Sequence, residues 1–166
     1  MSVPGFLKRL FGGGSSALTR EEIAALPAGK LVHRVLYSLP DAGDANEAQR
    51  DFVSMVMLDG EVRNGGFNQY YYNTDEERQR AAEAFARAGA ADAAELVRQA
   101  DGCYDASRER LAELWDGTMK GFSASYKERF FDRFDTEYYA LMDKKRFQEL
   151  LAGFVRSHAG DFIPRK

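Results

Sequence analysis

From Thr19 to Gly160 the apolar residues of this chain recur at helical spacing, and no segment sustains the alternation of a half-buried strand. Leu31, Val32, Val35, Leu36 and Leu39 form one such stripe. Phe130, Phe131, Phe134, Tyr138 and Leu141 form a second, and Phe147, Leu150, Leu151, Phe154 and Val155 a third. A helix from about Asn46 carries Phe52, Val53, Met55, Val56, Met57, Leu58 and Val62. These residues surround it, so its second half is expected to be buried on most sides. Local signals punctuate the pattern. Thr19-Arg20-Glu21-Glu22 and Thr74-Asp75-Glu76-Glu77 both read as capping boxes. Pro27 stops the first helix, and Pro40 to Asp44 is a loop. Gly89 ends the helix opened at Thr74. Asp92 is expected to cap the next, which runs to Trp115 with a break at Asp101-Gly102 and closes at Asp116-Gly117. The last helix is expected to end at Gly160. The fold class is therefore all-α, a compact single-domain bundle of about seven or eight helices.

A chain of 166 residues suits one domain with a short appendage. At this size folding buries roughly 70% of the unfolded surface, so no metal or disulfide is needed for stability. The boundary falls early. Residues 1–16 read as an N-terminal arm and Gly/Ser linker, and residues 17–166 as the helical domain. In the arm, Phe6, Leu7, Leu10 and Phe11 share one side of a short helix, with Lys8 and Arg9 on the other. Membrane contact through those four apolar residues is the weaker reading, because stable anchoring takes a second signal. Docking onto protein is preferred. Cys103 is the only cysteine, which fits a reducing compartment. No apolar run approaches the ~20 residues of a membrane span, and Met1 to Phe11 lacks a signal-peptide core. The expected location is the cytoplasm.

The net charge of −3 conceals an uneven distribution. Residues 51–118 carry fourteen acidic and seven basic side chains, a net −7. Residues 119–166 carry ten basic and seven acidic, a net +3. That pattern excludes direct nucleic-acid binding by charge. An acidic middle either forms a solvated helix surface or attracts a basic partner.

The stretch Glu61-Val62-Arg63-Asn64-Gly65-Gly66-Phe67-Asn68-Gln69-Tyr70-Tyr71-Tyr72-Asn73 departs furthest from generic helical sequence. A Gly pair directly after a buried helix predicts a helix stop, with positive φ at Gly65 or Gly66. Phe67 would re-enter the core, and Tyr70 to Tyr72 would form an aromatic turn. Asp59 and Glu61 end a helix with little solvent-facing surface, so Glu61 is expected to be mostly buried and paired. Its local partners are Arg63, Asn64, Asn68, Gln69, Asn73 and the tyrosine hydroxyls. A fully bonded Glu61 is a structural staple. One with incomplete partners would have a raised pKa suited to acid–base work. The candidate motif or pocket residues are Glu61, Asn64, Gly65, Gly66, Phe67, Gln69, Tyr70 and Asn73.

These residues resemble a bacterial family of unknown function that includes a DNA-mimic protein. The family pattern is an acidic residue, Asn-Gly-Gly-Phe, then Gln followed by aromatics and Asn. Here it is carried by Glu61, Asn64, Gly65, Gly66, Phe67, Gln69, Tyr70, Tyr71 and Asn73, with Ala88-Gly89-Ala90 and Phe154-Val155-Arg156 fitting the same layout. The resemblance covers roughly residues 30–163 and implies an all-helical homodimer. In the characterised member acidic side chains imitate DNA phosphates and engage a transcription factor. This chain departs from that member in its mild net charge and basic C-terminal part. The shared motif therefore reads as a fold or pocket signature, not as the mimicry surface.

Other chemistry is sparse. His33 lies opposite the Leu31/Val35/Leu39 stripe, and His158 lies on the Phe147/Phe154 face near a helix end. Two isolated histidines and one cysteine give no zinc-ligand spacing, so no metal and no cofactor is expected. The chain has no P-loop, no dinucleotide fingerprint and no Gly-x-Ser-x-Gly elbow. Two functions follow. The first is a non-enzymatic protein-interaction domain, regulatory or inhibitory, whose partner is another protein. The second is a small enzyme or ligand-binding protein with a pocket around Glu61, Asn64 and Gln69. The first is preferred.

Overall fold

The computed structural model describes residues 17–74 and 78–163. The arm expected at residues 1–16 and the acidic part of the second capping box lie outside the described residues. Nine α-helices and two 3₁₀ turns occur among the described residues, with no strand. In chain order they are α1 (Arg20–Ala25), α2 (Ala28–Ser38), a 3₁₀ turn (Ala42–Asp44), α3 (Glu47–Asn73), α4 (Arg78–Arg87) and α5 (Ala91–Leu114). Then come α6 (Met119–Ser125), a 3₁₀ turn (Tyr126–Glu128), α7 (Asp132–Leu141), α8 (Lys144–Ser157) and α9 (Ala159–Phe162). The expected all-α class holds. The chain divides into two compact units, one taking in the described residues up to Val53 and from Lys144 on, the other Ser54–Asp143.

In the first unit α2 packs on α8. Leu31 and Val35 of α2 and Phe147, Leu151, Phe154 and Val155 of α8 are buried, as their helical spacing requires. The Thr19 capping box is complete: the Thr19 hydroxyl accepts the Glu22 N–H, and the Glu22 carboxylate accepts the Thr19 N–H. Arg156 donates to the carbonyls of Ile23 and Leu26, satisfying groups that the end of α1 leaves open. Asn46 and Gln49 cap the start of α3 reciprocally and also donate to the Asp161 carbonyl. His33 is exposed and lies against Tyr37, while His158 Nδ1 contacts the Phe154 carbonyl.

The Ser54–Asp143 unit contains the rest of α3 and helices α4 to α7. α4 packs along α5, and α5 also meets α6 and α7. Met55, Leu58, Val62, Phe67, Phe85, Val97, Leu111 and Tyr138 fill its interior.

Four local expectations need correction. The helical geometry does stop at Gly65-Gly66, but the chain kinks there and a helix resumes to Asn73, so Tyr70 to Tyr72 lie on a helix and not in an aromatic turn. α5 runs unbroken through Asp101-Gly102, because one exposed Gly costs only about 1 kcal/mol in a helix of that length. Asp92 sits in the first turn of α5, after the N-cap Ala90, and accepts the adjacent Ala93 N–H. The last long helix ends at Ser157, and Gly160 lies inside the short α9. The sequence reading also passed over α6, whose N-cap is Thr118.

Candidate functional site

The motif lies on the kink of α3. Gly65 leaves helical geometry with negative φ (φ −158°, ψ 25°), and Gly66 has φ 72° and ψ −178°, a combination that residues with a Cβ rarely adopt. The residue with the expected positive φ is thus Gly66. The kink frees backbone groups, and side chains from elsewhere in the same unit take them up. Tyr139 of α7 donates to the Val62 carbonyl at 2.6 Å. Tyr126 donates to the Gly65 carbonyl at 2.8 Å. The Asp135 carboxylate accepts the Phe67 N–H at 2.7 Å, serving as an N-cap supplied by another helix. A Cβ on Gly66 would run into that same carboxylate.

Phe67 is the hinge pin. It is fully buried, within about 6 Å ring-to-ring of Tyr70, Tyr71, Phe134 and Tyr138. Tyr70 is buried and donates to the Arg78 carbonyl. Tyr71 stacks on Tyr104 and donates to Asp101. Asn68 is buried and donates to the Ser125 hydroxyl, which also accepts the Trp115 indole N–H and donates to the Phe122 carbonyl. Among the described residues no buried side-chain polar atom lacks a partner.

Glu61 is half-buried, where the sequence reading expected it mostly buried. One of its carboxylate oxygens accepts both the Gln69 amide (2.7 Å) and the Asn73 amide (2.8 Å), bridging the two arms of the kinked helix. The carboxylate in the interior is Asp59, two residues earlier. Asp59 is 8% exposed, pairs with Arg63 at 2.9 Å and accepts the Tyr138 hydroxyl at 3.0 Å. Arg63 also donates to the Met142 carbonyl. The Asp59 hydrogen bond raises the Arg63 pKa, and burial raises that of Tyr138, so the guanidinium stays charged and the tyrosine stays a donor.

The structure brings Glu61, Gln69 and Asn73 together, seats Phe67 and Tyr70 in the core, and makes the kink from Gly65 and Gly66. Asn64 is exposed and stands outside this network. Sequence reasoning missed Asp135, Ser125, Tyr126, Tyr138 and Tyr139, which complete the site. Between 57 and 79 residues separate each of them from its partner on α3. The one sequence signal for them was the density of tyrosines and aspartates between 126 and 139.

Two carboxylates are perturbed by burial. Asp135 lies above its ordinary pKa because burial outweighs the Phe67 N–H. Asp101 is pushed up to about 6 by burial, against the hydrogen bond from Tyr71 and the attraction of Arg78. Among the described residues no group of His, Cys, Asp and Glu is arranged to hold a metal ion, and no helix is long and apolar enough to cross a membrane.

A kinked helix clamped by side chains of a second helix defines an all-α protein whose signature residues serve the kink. Residues 43–158 match the family described as DMP19-like protein, and the chain belongs to that family. No curated protein and no solved structure matches the chain.

Proposed function

We propose that this protein acts without catalysis, as an interaction protein that regulates or inhibits another protein by binding it. The observation that carries this reading is the state of the motif. Apart from the exposed Asn64, its polar side chains are engaged within the unit: one oxygen of Glu61 by Gln69 and Asn73, Asn68 by Ser125, and the Phe67 N–H by Asp135. A reacting group needs free valence toward a substrate, and these side chains spend theirs on the kink. The motif is then scaffold, and function lies on the surface that the scaffold presents.

That surface is acidic along α5, with Glu83 of the otherwise basic α4 beside it. Glu83, Asp92, Glu95, Asp105, Glu109 and Glu113 are all exposed there. Arg78, Arg98 and Arg110 neutralise part of this charge through pairs with Asp105, Glu83 and Glu113. A partner with a basic contact face is favoured and nucleic acid is disfavoured. Membership of the DMP19-like family supports the reading. On the same reading the acidic face stands in for DNA phosphates toward a DNA-binding partner, and the chain works as a homodimer in the cytoplasm.

The test is affinity capture with the full chain from extracts of its native cell, followed by titration of the purified captured protein. A saturable complex that weakens with salt is expected. A chain that binds no protein, and instead turns over or retains a small molecule, would make the pocket around Glu61, Asn64 and Gln69 the better reading.

A further inference from the structure

Part of the Ser54–Asp143 unit has no role in the kink. On α5, Asp92, Glu95, Leu96 and Gln99 recur at helical spacing and share one face. On α7, Glu137, Ala140 and Leu141 do the same. The two faces enclose a shallow, open cleft of about 580 Å³. Its floor is apolar: Leu96 is buried and Leu141 half-buried, while the small exposed Ala140 leaves room above them. Its rim is acidic, with Asp92, Glu95 and Glu137 all exposed. None of the residues lining it is basic. Two arginines reach the rim from the side. Arg98 pairs with Glu83 at 3.1 Å and Glu95 at 3.8 Å. Arg133 reaches Gln99 at 3.3 Å and Glu137 at 3.5 Å while its guanidinium lies over the Phe134 ring.

We propose that this cleft is a docking groove for a Lys- or Arg-bearing segment of the partner protein. The proposal rests on the protein-binding reading and names the chemistry that the partner must present. An apolar floor under an acidic rim matches a side chain with an aliphatic stem and a cationic head. The methylenes cover Leu96 and Leu141, and the head meets carboxylates at the edge. A purely apolar guest would strip water from those carboxylates without replacing it. A phosphate or an acidic peptide would be repelled. From Asp92 to Gln99 the groove is about 10 Å long, two helical turns. The matching segment therefore offers an apolar and a basic residue one turn apart.

The probe is a synthetic helix-forming peptide with Leu and Arg one turn apart, titrated into the isotope-labelled full chain. Amide shifts are expected at Leu96, Gln99, Ala140 and Leu141. The double variant Glu95→Lys/Glu137→Lys, folded by circular dichroism, should bind at least about tenfold more weakly, from two exposed charge contacts each reversed in sign. Glu113→Lys, an exposed acid on α5 that does not line the cleft, should change binding by less than about twofold. A peptide with Leu→Ser should also bind weakly. Shifts scattered over the acidic surface, or equal weakening by Glu113→Lys, would reduce the interaction to diffuse charge attraction and overturn the proposal. So would no binding at all. The two levels separate cleanly. A captured native partner that binds the double variant as it binds the parent overturns the groove and leaves the protein-binding reading standing.

Discussion

Replacing Gly66 by alanine should strike the motif at its most constrained atom. The backbone at φ 72° and ψ −178° costs a residue with a Cβ about 1–3 kcal/mol. The new methyl group also meets the Asp135 carboxylate, which accepts the Phe67 N–H. Moving that carboxylate releases a hydrogen bond to a charged acceptor, worth about 1.5–3 kcal/mol. Together the loss should be about 2.5–6 kcal/mol, a large share of the 5–15 kcal/mol typical of a domain. Urea unfolding followed by circular dichroism reads it as a lower midpoint at an unchanged slope. Two controls sharpen the result. Gly65→Ala would also meet the Gln69 side chain and the Tyr126 hydroxyl, but at φ −158° it escapes the positive-φ strain, so it should cost less. In a double-mutant cycle, Asp135→Ala should remove part of the Gly66→Ala penalty, because both changes release the same N–H. A Gly66→Ala protein within about 0.5 kcal/mol of the parent, or strict additivity with Asp135→Ala, would refute the reasoning.

Other variants test other joints. Ser125→Ala strands the Asn68 amide and the Trp115 indole N–H, and should cost about 1–3 kcal/mol by thermal melting. Asp101 carries a pH prediction. Its folded pKa of about 6 exceeds the ordinary value of 3.8, so between these the folded state holds a proton that the unfolded state has lost. The stability it contributes is full below about pH 3.8 and is lost as the pH rises through about 6. Asp101→Asn should therefore raise stability at pH 7 by about 1–2 kcal/mol after allowance for solvent screening, and the gain should vanish toward pH 4. Denaturant titrations at a series of pH values check the sign. Tyr138→Phe leaves Asp59 with Arg63 alone and should cost about 1–2 kcal/mol in the same assay.

Sequence carried the parts of this fold that are local. The Thr19 box, Pro27, Gly89 with φ 83° and Gly117 with φ 81° all mark helix ends by chemistry confined to a few residues. The stripes of α2 and α8 were legible because each helix buries a single face. Short α6 was not, since Met119 is exposed and Phe122 only half-buried, so it has no continuous stripe. The kink shows the same divide. The Gly pair and its positive φ were readable, but resumption of the helix was not. That depends on Asp135 capping Phe67 from 68 residues away. The carboxylate pair was misjudged for a similar reason. Position alone made Asp59 and Glu61 look alike, yet their neighbours on α7 seal only Asp59 inside.

The central claim is that the Glu61 motif is scaffold, and Glu61→Gln tests it most directly. The glutamine keeps the size of the bridge to Gln69 and Asn73 but removes its charge. Melting temperature and partner dissociation constant would be measured on the same preparation of Glu61→Gln and parent. A half-exposed bridge predicts a loss of about 1 kcal/mol in stability, with partner affinity unchanged at temperatures where both proteins are folded. A Glu61→Gln protein that melts with the parent yet loses partner binding, or loses a catalytic turnover that the parent has, would contradict the claim and make the motif the working site.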